Sequence, residues 1–201
     1  DDEQLYVLYT SGTTGRPKGV VGRCAATLNR LQWQWRVWPW TAEDVACART
    51  PLAFVDHVAE ILSALLVPSD ARPGSLPSAP LLVCPKASAR QDVGQLLRCV
   101  ADHRVTRLVL TPTLLRAALL HAELLESDGR VAVASGPLDT LRLVVSSGEM
   151  LPHQLLRAFL VSAPEDSVLL NVYGATEVTA DATCAAYRAA DAGRFSIKTG
   201  F

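Results

Sequence analysis

From Val93 onward the chain alternates between two hydrophobic periods, and that alternation limits its fold more than any other feature. Val93, Leu96, Leu97, Val100 and Ala101 recur at i, i+3, i+4, i+7 and i+8, one face of a helix. The short strand-like run Thr106 to Leu110 follows. Pro112 then opens a second amphipathic stretch through Leu114, Leu115, Ala118, Leu119 and Ala122, because the N–H that proline lacks would be unpaired in a first helical turn. Leu141 to Val145 is the next predicted strand. Pro152 opens a third helix that turns Leu155, Leu156, Phe159 and Leu160 toward the sheet, and Val168 to Val172 is the strand after it. Strands separated by helices at this spacing predict parallel βαβ units buried on both faces. The fold class is therefore α/β, a largely parallel sheet with flanking helices.

The first third is less regular. Leu5 to Tyr9 predicts a strand feeding a glycine-rich loop, Ala25 to about Trp38 a helix, and Leu81 to Cys84 another strand. Pro68 to Pro80, with four prolines and a glycine, predicts an extended surface loop.

At 201 residues the chain is long enough to bury one substantial core, and 49% apolar with 19% charged residues argues for an ordered protein. Its 19 Lys and Arg are scattered among 20 Asp and Glu, so no basic face for nucleic acid is expected. The apolar run Ile61 to Val67 is too short to span a bilayer, and Asp1-Asp2-Glu3 is unlike a signal peptide, so the expected setting is cytoplasmic, without a membrane. Cys24, Cys47, Cys84, Cys99 and Cys184 form no C-x-x-C pair and are expected to be buried, reduced thiols. Trp33, Trp35, Trp38 and Trp40 are expected to pack a helix and its exit rather than to stack on bases.

Three stretches carry chemistry. In Thr10-Ser11-Gly12-Thr13-Thr14-Gly15-Arg16-Pro17-Lys18-Gly19 the glycines let backbone N–H groups approach an anion, four hydroxyls add donors, and Lys18 adds a positive charge. The loop suits a polyphosphate, yet Pro17 and Gly19 stand where a Walker loop needs glycine and a hydroxyl. Ser146-Ser147-Gly148-Glu149 and Asn171-Val172-Tyr173-Gly174-Ala175-Thr176-Glu177 both lie just past predicted parallel strands, the edge at which open α/β sheets bind ligands. The second offers an amide for a purine edge, a ring to stack on it, a hydroxyl for a phosphate oxygen and a carboxylate for Mg²⁺. From the residues alone, a serine/threonine-rich turn and a solvated carboxylate at a helix start remain the alternative readings.

YTSGTTGRPKG, SSGEML and NVYGATE, in this order, resemble the core motifs of the adenylate-forming (AMP-binding) superfamily, above all the adenylation domains of nonribosomal peptide synthetases. The resemblance implies that residues 1–201 are a partial AMP-binding core from the large N-terminal subdomain, with the C-terminal subdomain and a flanking N-terminal part absent. It implies ATP and Mg²⁺ as cofactors, attack of a small carboxylic or amino acid on the α-phosphate, and transfer of the acyl group to a phosphopantetheinyl carrier protein. Thr10, Ser11, Gly12, Thr13, Thr14, Gly15 and Lys18 would hold the β- and γ-phosphates, Gly148 and Glu149 would border the adenine, Asn171 would read its edge and Tyr173 would stack on it. Gly174 belongs to the same nucleotide-binding turn. Thr176 would touch the α-phosphate and Glu177 would bind Mg²⁺; Lys18, Thr176 and Glu177 are the implied catalytic set. The two outer turns are expected to converge around one ATP.

The acid pocket is implied to involve Phe54, Val55 and Asp56 with Ser147 and Gly148, and His57 borders it. Pro51 to Glu60 matches the family stretch Phe-Asp-x-Ser-Val-x-Glu at Phe54, Val58 and Glu60, but Val55 replaces the aspartate that anchors an α-amino group. An ammonium buried beside valine would be unpaired and costly. Asp56 carries a carboxylate one residue later, and with Leu31-Gln32-Trp33-Gln34-Trp35 this stretch is similar to ebony-type β-alanyl-amine synthetases, which implies β-alanine as substrate. An acyl-CoA ligase of the same superfamily and an inactive nucleotide-binding scaffold are the alternatives.

Overall fold

Leu108, Leu110, Val144, Leu169 and Leu170 are among the most deeply buried residues of the chain, and they lie on neighbouring strands. The computed structural model describes residues 3–12, 15–68, 80–127, 136 and 138–190. They divide into a first unit, drawn from residues 3–85 with 172–184, and a second, drawn from residues 86–171 with 185–190.

In the second unit, β5 (Arg107–Leu110), β6 (Leu143–Ser146) and β7 (Val168–Tyr173) form consecutive parallel ladders. α4 (Val93–Asp102), preceded by the short α3 (Ala87–Gln91), leads into β5, and α5 (Pro112–Ser127) and α6 (His153–Ser162) connect the three strands. This is the βαβ order expected from the alternation. Asp92 starts α4 by accepting from the Gln95 N–H at 2.9 Å, a side-chain cap on an otherwise unpaired donor. α6 buries the four predicted residues, Leu155, Leu156, Phe159 and Leu160. The predicted strand 141–145 is shifted, because Leu141 belongs to the turn whose carbonyl accepts from Ser167 Oγ at 2.6 Å.

The first unit begins with an antiparallel hairpin, β1 (Gln4–Thr10) and β2 (Lys18–Arg23), that the sequence reading only half anticipated. β2 carries two glycines, which weaken a strand signal. α1 (Cys24–Val37) buries Thr27, Leu31 and Trp35, spaced four apart on one face. Leu31 and Trp35 join Trp40, Ala46, Ala59, Ala64 and Val67 in one core, and the Trp35 indole donates to the Ser63 carbonyl at 2.9 Å. Trp35 and Trp40 thus pack the helix and its exit as expected, while Trp33 and Trp38 are half-buried. β3 (Val45–Cys47) and β4 (Leu81–Val83) form another parallel ladder, with α2 (Asp56–Leu65) between them in sequence. The last strand, β8 (Thr183–Arg188), returns antiparallel beside β7: the Ala182 N–H donates to the Tyr173 carbonyl at 2.8 Å and the Ala189 N–H to that of Ser167 at 3.0 Å.

Two expectations need correction. Only Cys47 is buried; Cys24 and Cys99 are half-buried, and Cys84 and Cys184 are exposed, since β8 shows most of its residues to solvent. Pro80 is buried rather than in an exposed loop. Pro68 is half-buried, and residues 69–79 of that predicted loop and the chain end 191–201 lie outside the described residues. Among the described residues no helix is long and apolar enough to cross a membrane.

The α6 face gives a quantitative test. Phe159 is 1% exposed and Val161 is 78% exposed. Phe159→Ala should lower the unfolding free energy by about 3–5 kcal/mol. Val161→Thr should change it by less than about 0.5 kcal/mol. Urea unfolding of both variants checks the assignment; equal effects would overturn it.

Candidate functional site

The glycine-rich loop closes the β1–β2 hairpin. Thr10 pairs with Lys18 at its base, and inside it the Gly15 N–H donates to the Gly12 carbonyl at 2.9 Å. A Cβ at position 12 would stand 2.0 Å from the Arg16 carbonyl oxygen, so only glycine allows this closure. Ser11, Gly15 and Lys18 are exposed; Thr10 and Gly12 are half-buried; Thr13 and Thr14 lie outside the described residues.

The other motif of this unit is a tight turn. After Tyr173, a 3-10 turn (Thr176–Val178) leads into Thr179 and Ala180, both with left-handed backbone, φ 60° and 78°. The Ala175 carbonyl accepts from the N–H groups of Val178 and Ala180, both at 3.1 Å. A Cβ at position 174 would fall 1.6 Å from the Ala180 carbonyl oxygen, which makes Gly174 a requirement of the turn. Tyr173 and Glu177 are exposed, and Thr176 is half-buried. Ala180 packs with Leu8, Val55 and Tyr6, and β2 approaches the 3-10 turn within 8 Å between Cα atoms. Strand β2 begins at Lys18 and the 3-10 turn contains Glu177, so the two outer motifs belong to one packed assembly within the first unit.

Val55, at the entrance to α2, is in the same apolar contact and only 9% exposed. Phe54 is exposed. Asp56 is half-buried in the first turn of α2, and His57 Nδ1 lies 2.7 Å from the Phe54 carbonyl oxygen. One turn on, Glu60 is 6% exposed; its Oε2 accepts from the Thr50 N–H at 2.8 Å, and Oε1 has no hydrogen-bond partner among the described residues. Burial pushes the Glu60 carboxyl up to about 7, against the pull of the Thr50 hydrogen bond and Arg49, and the Asp56 charge adds to the rise. A residue that sequence reasoning missed is Asp181. Its carboxylate takes the Arg30 guanidinium of α1, with Nε to Oδ2 at 2.7 Å. The two are 151 positions apart, so no local pattern signals the pair.

In the second unit, Ser146 pairs with Asn171 at the carboxyl ends of β6 and β7, which places Ser147, Gly148 and Asn171 at the edge predicted for them. Ser147 is buried and its N–H donates to the Leu110 carbonyl at 3.2 Å. Glu149 is exposed and accepts from Thr113 Oγ1 at 2.6 Å and from the Thr113 N–H at 3.0 Å. These bonds hold its carboxyl below the usual carboxylate range and tie it to the start of α5, where an anion is favoured.

Glu60 makes stability depend on pH with a definite sign. Its folded pKa, about 7, lies above the ordinary 4.5, so its contribution is fully present below pH 4.5 and is lost as pH rises to about 7. The loss is on the order of 3 kcal/mol. Glu60→Gln keeps an acceptor for Thr50 and removes the titration. Urea unfolding at pH 5 and pH 8 should therefore show a smaller drop for the variant than for the parent chain; equal drops would exclude this role. Glu149→Ala should cost about 1 kcal/mol by uncapping α5, read in the same assay.

The AMP-binding enzyme family matches residues 1–199. The beta-alanyl-bioamine nonribosomal peptide synthetase ebony of Drosophila melanogaster is 40% identical over 185 residues, 91% of this chain and 19% of that protein. The vanchrobactin synthetase VabF of Vibrio anguillarum is 34% identical over 180 residues, 89% of this chain and 6% of its own length. The crystal structure of the nonribosomal peptide synthetase FmoA3 superposes with a TM-score of 0.74 at 28% identity, over 92% of this chain and 17% of that one. This chain thus spans less than a fifth of the length of each of these relatives. With the glycine loop closing a hairpin, the aromatic-acidic turn packed in the same unit and the parallel α/β frame, the matches show that the chain belongs to the AMP-binding family of adenylate-forming enzymes.

Proposed function

We propose that the chain binds ATP and takes part in activating a small amino acid, foremost β-alanine, as an acyl-adenylate that passes to the thiol of a phosphopantetheinyl carrier protein in the cytoplasm. The observation that carries this reading is the packing of the hairpin that holds the Thr10–Lys18 loop against the turn that holds Thr176 and Glu177. A cationic, N–H-rich loop beside a hydroxyl and a free-standing carboxylate suits a triphosphate with its metal. Likeness to a synthetase named for a β-alanyl-bioamine, and to FmoA3, which has also been crystallised in an AMPPNP-bound form, supports the substrate and nucleotide parts of the reading.

In this assignment Thr10, Ser11, Gly12, Thr13, Thr14, Gly15 and Lys18 hold the β- and γ-phosphates, and Thr176 the α-phosphate. Asn171, Gly148 and Glu149 border the adenine, and Tyr173 stacks on it while Gly174 shapes the turn. Phe54, Val55, Asp56, Ser147 and Gly148 serve the acid. Glu177 offers a hard oxygen, and no group of three or more His, Cys, Asp or Glu lies together among the described residues. That sparse donor set fits Mg²⁺, which takes one or two carboxylates and completes its shell with water and phosphate oxygens. When bound, the ion neutralises charge on the phosphates. Val55 lies in the apolar contact and leaves Asp56 as the carboxylate for an ammonium one carbon further from the reacting group.

ATP–pyrophosphate exchange by the full-length gene product, with a panel of acids, tests the reading. β-Alanine should exceed α-alanine, and Lys18→Ala and Glu177→Ala should each reduce exchange by about 100-fold. Preference for an α-amino acid would overturn the substrate, nucleotide binding without exchange would point to a scaffold, and transfer to coenzyme A in place of the carrier would point to an acyl-CoA ligase.

A further inference from the structure

We infer that Arg30 is a positioning residue: its buried ion pair with Asp181 holds the left-handed Thr179–Ala180 turn, and through that turn the stretch from Tyr173 to Glu177. The functional meaning rests on the nucleotide role proposed for that stretch, while the structural half stands on the ion pair itself.

Arg30 lies on α1 beside Leu31, one of the residues that helix buries. Its guanidinium is held from three directions. Nε and Nη2 both reach Asp181 Oδ2, Nη1 donates to the Gln34 side-chain oxygen, and the Trp33 ring centroid lies 5.7 Å from the guanidinium carbon. The side chains of Arg30 and Asp181 are 13% and 6% exposed, so both charges are largely withdrawn from water. A pair this dry and this constrained fixes position.

What it fixes is a backbone that would not choose its conformation. Thr179 and Ala180 both have positive φ, a region that β-branched and other non-glycine residues leave unless neighbours over-determine it. Asp181 follows them directly. Because the Gly174 Cα sits against the Ala180 carbonyl with no room for a Cβ, and because Ala180 and Val178 share the Ala175 carbonyl, a shift at position 180 is passed at once to Gly174 and the 3-10 turn. The ladder bond from the Ala182 N–H to the Tyr173 carbonyl closes the far end. Arg30 therefore acts on Thr176 and Glu177 without touching a ligand.

Hydrogen–deuterium exchange of residues 174–182, without ligand, reads the structural half. Arg30→Met combined with Asp181→Leu removes both charges and keeps the site apolar, so it preserves the fold where the single Arg30→Met change strands a carboxylate. In this double variant, and to a smaller extent in Arg30→Lys, the turn amides should exchange about tenfold faster while those of α4 and β5 stay unchanged. AMP affinity by calorimetry should fall by about tenfold in the double variant at an unfolding temperature close to that of the parent chain. Parental exchange in a folded double variant or in Arg30→Lys would overturn the inference. Faster exchange with unchanged AMP affinity would overturn its functional half. A parent chain that binds no AMP would sink the nucleotide reading, and the exchange data would still decide whether Arg30 holds the turn.

Discussion

The contact of Leu8 with Val55 and Ala180 is the interaction on which the chemistry-bearing part of the chain depends. It joins the first strand, the entrance to α2 and the turn after the 3-10 segment, three stretches that sequence keeps far apart. The two left-handed residues at positions 179 and 180 cost on the order of 1–3 kcal/mol each. Burying a leucine and a valine returns roughly 1.5–3 kcal/mol apiece. The terms are comparable, so the apolar contact offsets the strain and the ion pair at Asp181 decides which conformation the offset serves.

The second unit works on different terms. Strands β6 and β7 are apolar nearly throughout, so register there is set by burial on both faces, and their polar residues lie toward the carboxyl ends. Ser147 and Asn171 stand at that edge, but Glu149 is already engaged by Thr113 at the start of α5. A carboxylate anchored in this way is a fixed wall rather than a mobile ligand. That suits a role beside a flat ring better than a role on phosphate.

Most of the second unit was legible because α4, α5 and α6 have enough length to show a period, while the five-residue α3 does not. Leu155, Leu156, Phe159 and Leu160 announce both the helix and the face it buries. The first unit was legible by motif and poorly by pattern. α2 has Val55 at its N-cap with no side-chain cap, so nothing marks its start. β3 is three residues long, β2 carries two glycines, and β8 is exposed at nearly every position, so none shows the alternation of a half-buried strand. Glu60 was legible as a motif position, but its buried, raised carboxyl and the Arg30–Asp181 pair were not, because these come from burial and from long-range approach, which no window along the sequence contains.

The replacement of an anchoring aspartate by Val55 is more than the loss of a charge. Val55 stands just before α2 and is part of the contact that supports the turn, so an aspartate there would bring a carboxylate into an apolar cluster. Asp56 begins the helix, where successive residues turn by about 100° and rise by about 1.5 Å. A carboxylate moved by that step meets an amine along a different line. In the proposed reading, the apolar residue that stabilises the turn and the displaced carboxylate that favours a longer amino acid are two consequences of one exchange. Specificity and scaffold are then coupled at Val55, and restoring the charge at position 55 would put both at risk.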